Sequence, residues 1–157
     1  MEREKSCCFT GHRKITEEQI PHICAEVDRI IIELVEKGVT VFYCGGAEGF
    51  DTLAAEAILK AREKNPQIRL YLALPYPRQR KKQTEAVIRY ETIKAQADEV
   101  VFVSPRYMRG CMQKRNQYMV DHSSICVAYL LEGTEKGGTK YTVEYAQKKE
   151  IGICYIK

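Results

Sequence analysis

Short apolar runs alternate with helical patterns from one end of this 157-residue chain to the other. That alternation constrains the fold more than any other feature, because repeated strand-helix units bury their apolar surfaces only when helices cover a sheet of parallel strands. The runs "SCCFT", "VTVFYC", "IRLYLAL", "EVVFVS", "SICVAYLL" and "IGICYI" read as strands. Between the first two, Glu17 to Lys37 places Ile20, Ile23, Val27, Ile30, Ile31, Leu34 and Val35 at helical spacing before the stop signal Gly38. Helical patterns also cover Phe50 to Lys64 and Gln83 to Ala97; "MRGCMQKRNQYMVDHS" supplies a loop and a helix, and "KYTVEYAQKK" a short helix. The pattern predicts an α/β fold, a Rossmann-like, three-layer, doubly wound and mostly parallel sheet, as a single domain over residues 1–157.

Composition narrows the function classes. Hydrophobic residues at 45% and charged residues at 29% describe a globular chain, not a disordered one. A net charge of +4 is too mild to argue for nucleic acid by itself and suits an anionic small ligand. No apolar h-region follows "MEREKS" and no run approaches the length of a membrane span, so the expectation is a cytoplasmic protein without a membrane partner. The seven cysteines form no C-x-x-C pair and sit mostly in apolar runs as small hydrophobes. Cys44 is the one nucleophile candidate among them, and Cys111, in a polar loop, is the thiol expected to react first. His12, His22 and His122 are scattered, so no metal site is expected.

In doubly wound sheets, ligands sit beyond the carboxyl ends of the strands where strand order reverses. That rule selects the loops Thr10 to Arg13, Cys44 to Asp51, Ser104 to Arg115 and Glu132 to Thr139. In "CGGAEGFD" the glycines read G-G-x-x-G, which is neither the dinucleotide fingerprint nor a Walker loop. Gly45, Gly46, Ala47, Glu48 and Gly49 offer backbone N–H donors at a helix start, with Asp51 as a cap or a ribose partner. The alternative is a glycine turn that only joins two elements. A second glycine loop, with Gly137, Gly138 and Thr139, stands at an equivalent junction. Thr10 and Gly11 leave the first strand, followed by the imidazole of His12 and the fixed cation of Arg13.

Together "CCFTGHR", "CGGAEGFDTLAAE", "LPYPRQ", "RNQYMVDHS" and "GGTKYTVEYA" resemble the SLOG superfamily of Rossmann-like proteins, in its YpsA-like branch of uncharacterised bacterial proteins. The likeness runs from Cys7 to Ala146 in family order. It implies a nucleotide or nucleotide-derived ligand held in a crevice between the glycine loops. The superfamily also contains cytokinin-activating phosphoribohydrolases and the single-strand-binding DNA-processing protein A. Phosphoribohydrolases carry a pattern like P-G-G-x-G-T-x-x-E; here Thr142 occupies the glutamate's place and Glu144 lies two residues later. Their M-x-x-R-K-x-x-M pattern is matched by Met112, Arg115 and Met119, with Asn116 replacing the lysine.

Three functions follow from these residues. The first is a sensor or accessory protein that binds a nucleotide-type ligand, with Arg13 and Arg115 on phosphate and Asn116 and Asp121 orienting base or ribose. The second is an N-glycosidic hydrolase using Glu48 or Glu144 with Arg115. The third, less favoured, is a single-stranded nucleic-acid binder, in which Arg78, Arg80, Lys81 and Lys82 behind Tyr76 supply charge and stacking. A homo-oligomer is compatible with all three, and none requires a resident cofactor.

Overall fold

The computed structural model describes residues 2–79 and 82–157. After a single 3₁₀ turn at Arg3–Lys5, strands and helices alternate in the predicted order. They are β1 (Ser6–Gly11), α1 (Ile20–Glu36), β2 (Val41–Cys44), α2 (Phe50–Lys64), β3 (Arg69–Leu74), α3 (Glu85–Gln96), β4 (Glu99–Phe102), α4 (Cys111–Asp121), β5 (Ile125–Tyr129), α5 (Gly138–Lys148) and β6 (Gly152–Tyr155).

The strands pair in the order β4-β3-β2-β1-β5-β6, and every pairing is parallel. The chain therefore builds outward from β1 to β4, then returns to the other side of β1. The order reverses between β1 and β5, where Thr10 pairs with Ala128 and Gly11 with Tyr129. Beyond that pair of strand ends the two flanking connections diverge and leave a crevice.

Alternate strand residues feed two cores, as a sheet covered on both faces requires. Phe9, Phe42, Leu70 and Leu72 pack with Ile23, Val27, Ile58 and Ile93 of α1, α2 and α3 on one face. Cys8, Tyr43, Ala73 and Cys126 pack with Met119, Val120 and Ala146 of α4 and α5 on the other. In α1, buried Ile23, Val27, Ile30, Ile31 and Leu34 form one helical stripe, and Gly38 closes the helix at φ 97°. No helix among the described residues is long and apolar enough to cross a membrane.

Most boundaries shift by one to three residues from the sequence expectation, among them the start of α3, at Glu85 and not Gln83, and two further helix starts have a physical reason. The first helix starts at Ile20, not Glu17, because Thr16 to Gln19 form a turn in which Gln19 N–H bonds the Thr16 carbonyl at 3.0 Å. The last helix starts at Gly138, ahead of the "KYT" run. A glycine is tolerated there because first-turn N–H groups have no intrahelical partner to lose.

The cysteine expectation is also corrected. Cys111 is only 2% exposed, since it opens α4 and turns its thiol inward. Cys44 is fully buried, and burial holds its thiol well above the ordinary range, which removes it as a nucleophile. All seven cysteines are free thiols, and only Cys24 and Cys154 are partly accessible. Brief labelling of the native protein with a thiol reagent should therefore modify Cys24 and Cys154 first, read by peptide mass spectrometry. Early modification at Cys111 would contradict this burial.

Candidate functional site

The crevice is built on the exits of β1, β2, β3 and β5. At the end of β1 a side chain on Gly11 would run into the ring of Phe50, so glycine there lets α2 seat its first residue against the central strand. The His12 carbonyl then accepts the Phe50 N–H at 3.1 Å. Gly49 has φ 76°, and a Cβ on it would strike the Arg13 carbonyl. The start of α2 is thus met by the chain's own backbone.

His12 ties β1 to β5. Its Nε2 accepts the Leu131 N–H at 2.9 Å and its ring meets Tyr129 edge-on at 5.7 Å. Partial burial lowers its basicity, and the accepted bond requires an unprotonated Nε2. The imidazole is a neutral strut.

Beneath the loop after β2 lies a guanidinium. Arg115 is only 5% exposed. Its Nη1 donates to the carbonyls of Gly45 and, at 3.4 Å, Ala73, and its Nε donates to Asn116 Oδ1 at 2.8 Å. Asp51 is 8% exposed and accepts the Ala47 N–H at 3.1 Å. Gly45 separates the two charges: a Cβ there would lie 2.8 Å from Arg115 Nη1 and 2.9 Å from Asp51 Oδ2. Glycine at 45 therefore makes room for a buried cation and a buried carboxylate. Gly46, at φ 74° with Leu74 2.5 Å from where a Cβ would sit, is required by backbone conformation and packing together.

Two cavities meet at this guanidinium. One, of about 190 Å³, lies over the strand-order reversal. Thr10, Gly11, His12, Arg13, Ala47, Asp51, Arg115, Asn116, Gly137, Gly138 and Thr139 line it, joined by Met112, Met119 and Lys136. The other, of about 170 Å³, takes Gly45, Gly46 and Glu48, shares Arg13, Ala47, Met112 and Arg115, and adds Leu74, Pro75, Tyr76, Arg78 and Tyr90. Of the expected ligand residues, Gly49 and Asp121 line neither.

The α5 end of the first cavity is open. Gly137 caps the helix at φ 115°, no side chain caps the first turn, and a Cβ on Gly137 would meet nothing within 4 Å. First-turn N–H groups of a helix have no intrahelical partner, and this turn lines the cavity together with Arg115. Among the described residues, Arg115 Nη2 makes no hydrogen bond although the side chain is buried.

The remaining candidates lie elsewhere. Thr142 is fully buried and donates to the Gly138 carbonyl at 2.7 Å, and the exposed Glu144 lines neither cavity. Asp121 accepts from Tyr145 at 2.8 Å and joins α4 to α5 away from the crevice. Arg80 and Lys81 lie outside the described residues. Tyr76 and Arg78, read from sequence as strand-binding groups, also wall the second cavity, because the exit of β3 folds over the site as well. Tyr90 carried no sequence signal, whereas Lys136 lies within the Glu132 to Thr139 loop that the strand-end rule selects. The same rule, extended to β3, finds Tyr76 and Arg78.

With the geometry established, comparison with known proteins identifies the family. A family model described as YspA SLOG family matches residues 7–155. This chain belongs to the YpsA SLOG family. It is 31% identical over 137 residues to the uncharacterized SPbeta prophage-derived protein YoqJ of Bacillus subtilis, covering 78% of this chain and 79% of that protein. It is 30% identical over 143 residues to UPF0398 protein BH1768 of Halalkalibacterium halodurans, covering 89% and 72%. Among solved structures, the single-stranded-DNA-binding DNA processing protein A of Helicobacter pylori superposes with a TM-score of 0.68 at 20% identity. That match covers 96% of this chain, which spans 64% of the other, and the likeness is one of fold.

Burial raises the Asp51 carboxyl above its usual range, and Arg115 and the Ala47 N–H offset only part of that rise. A carboxyl that holds its proton more tightly when folded stabilises the fold below its unfolded value, about pH 3.9. That stabilisation is lost as pH rises through the folded value. Urea unfolding of wild type and Asp51→Asn from pH 4 upward should therefore show wild type losing stability relative to the variant as pH increases. A flat or opposite trend would mean that the Arg115 charge dominates burial.

Proposed function

We propose that the protein binds a nucleotide or nucleotide-derived ligand by its phosphate in the cavity at the strand-order reversal, acting as a sensor or accessory protein. One juxtaposition carries this reading: the first turn of α5, which no side chain caps, and the buried Arg115 line the same cavity. Helix N–H groups and a fixed guanidinium are complementary to phosphate oxygens. Arg13 and Lys136 add positive charge at the mouth. A hydrolase would need a carboxylate at the ribose; Glu144 lies outside the crevice, so Glu48 at the rim of the second cavity is the remaining glutamate for that role.

A second reading rests on a separate observation. Tyr107 is 65% exposed, stands edge-on to Tyr76 at 5.5 Å, and Arg78 covers the Tyr76 ring at 5.7 Å. An exposed aromatic-basic rim suits a single-stranded nucleic acid, the ligand class of the Helicobacter neighbour.

Gly138 is the position that tests the phosphate site without disturbing the fold. A Cβ there meets only Asn116 Nδ2 at 3.9 Å, and its backbone is not in the left-handed region. Arg115→Ala would strip a buried carbonyl and Asp51 of their cation, and lost binding would then be confounded with lost stability. Gly138→Val should weaken binding of a nucleoside monophosphate at least tenfold, about 1.4 kcal/mol, in titration calorimetry, with an unchanged urea midpoint. Unchanged affinity would remove the first turn of α5 from the site.

A further inference from the structure

The second cavity differs in chemistry from the first. Besides the shared arginines, the first offers backbone donors, Lys136 and Asn116; the second has the charged Glu48 and Arg78 together with an aromatic and apolar wall of Tyr76, Tyr90, Leu74 and Pro75. The Tyr76 ring is held in place by the Tyr107 edge and the Arg78 guanidinium. At about 190 and 170 Å³, neither cavity alone reaches the roughly 300 Å³ at which small-molecule sites begin, whereas the two together do. They are joined through Arg13, Ala47, Met112 and Arg115, which line both. Arg115 thus stands at a waist, buried, with its Nη2 unbonded among the described residues.

We propose that one ligand fills both cavities: a nucleoside 5′-phosphate with its phosphate at the start of α5, its ribose at the Arg115 waist and its base against Tyr76. This rests on the phosphate reading above and adds to it the class of ligand and the end of the crevice that recognises the base. A flat base has two apolar faces to bury, and a tyrosine ring beside Leu74 and Pro75 gives them a matching surface. A sugar phosphate would fill only the donor-rich cavity. It would leave the tyrosine-lined one wet.

Titration calorimetry with adenosine 5′-monophosphate and ribose 5-phosphate separates the two ends. Wild type should bind the nucleotide at least tenfold more tightly than the sugar phosphate. Tyr76→Leu, which keeps apolar contact but removes the ring, should abolish most of that difference and leave ribose 5-phosphate affinity unchanged. Tyr76→Phe should retain it. Gly138→Val should weaken both ligands by a similar factor. Equal binding of the two ligands to wild type, or an equal loss of both in Tyr76→Leu, would overturn the assignment of the base while leaving the phosphate site standing. Binding of neither phosphate to wild type would overturn the phosphate reading, and this inference with it.

Discussion

The crevice depends on one buried side chain. Removing a guanidinium from water costs several kcal/mol unless its donors find partners. Arg115 finds them at the Gly45 carbonyl after β2, the Ala73 carbonyl late in β3 and Asn116 on its own helix. One charge therefore fixes α4 beneath the β2 and β3 exits. Asp51, on the far side of Gly45, anchors the first turn of α2 to Ala47 in the same small volume. Gly45 follows as a necessity, since a Cβ between the two charged groups has no place to go.

The two glycine-flanked helix starts look equivalent in sequence and are not equivalent in space. At α2 the backbone of His12 and Arg13 folds across the opening, takes the first N–H and occupies the side of Gly49. At α5 no described atom lies within 4 Å of the Cβ positions of Gly133 and Gly137, and no side chain caps the turn. Similar residue types thus serve closure at one junction and access at the other. What distinguishes them is the loop after β1, which belongs to neither motif.

The fold was legible because its signals are periodic and local. Strand runs and helical stripes survive in any context, and a sheet covered on both faces needs little more. Most of the candidate residues were legible for a topological reason: the exits of β1, β2 and β5 are neighbours in the sheet, so a rule about strand ends gathers them. Tyr90 escaped because it sits on a helix face with no loop signal, and it reaches the cavity only through the way α3 packs. Arg115 was legible as a phosphate partner through the family resemblance, but its burial was not: in "QKRNQ" it is surrounded by polar residues and reads as surface, yet only 5% of it is exposed. Nothing in local sequence tells which polar residue of an amphipathic helix will be covered by another loop.

That same placement sets Arg115 apart from the rest of the chain's positive charge. The +4 of the whole sequence is spread over the surface, where water and salt screen it. Arg115 is not screened in that way, because it is buried in a region of low dielectric, with Asp51 as the one close buried carboxyl group among the described residues. Burial depresses the guanidinium's proton affinity, Asp51 restores part of it, and Arg13 nearby works against it. An arriving phosphate would act in the same sense as Asp51, with more charge and better geometry for a planar donor. Under the proposed phosphate reading, it is this one buried arginine, and not the overall composition, that would attract the anion.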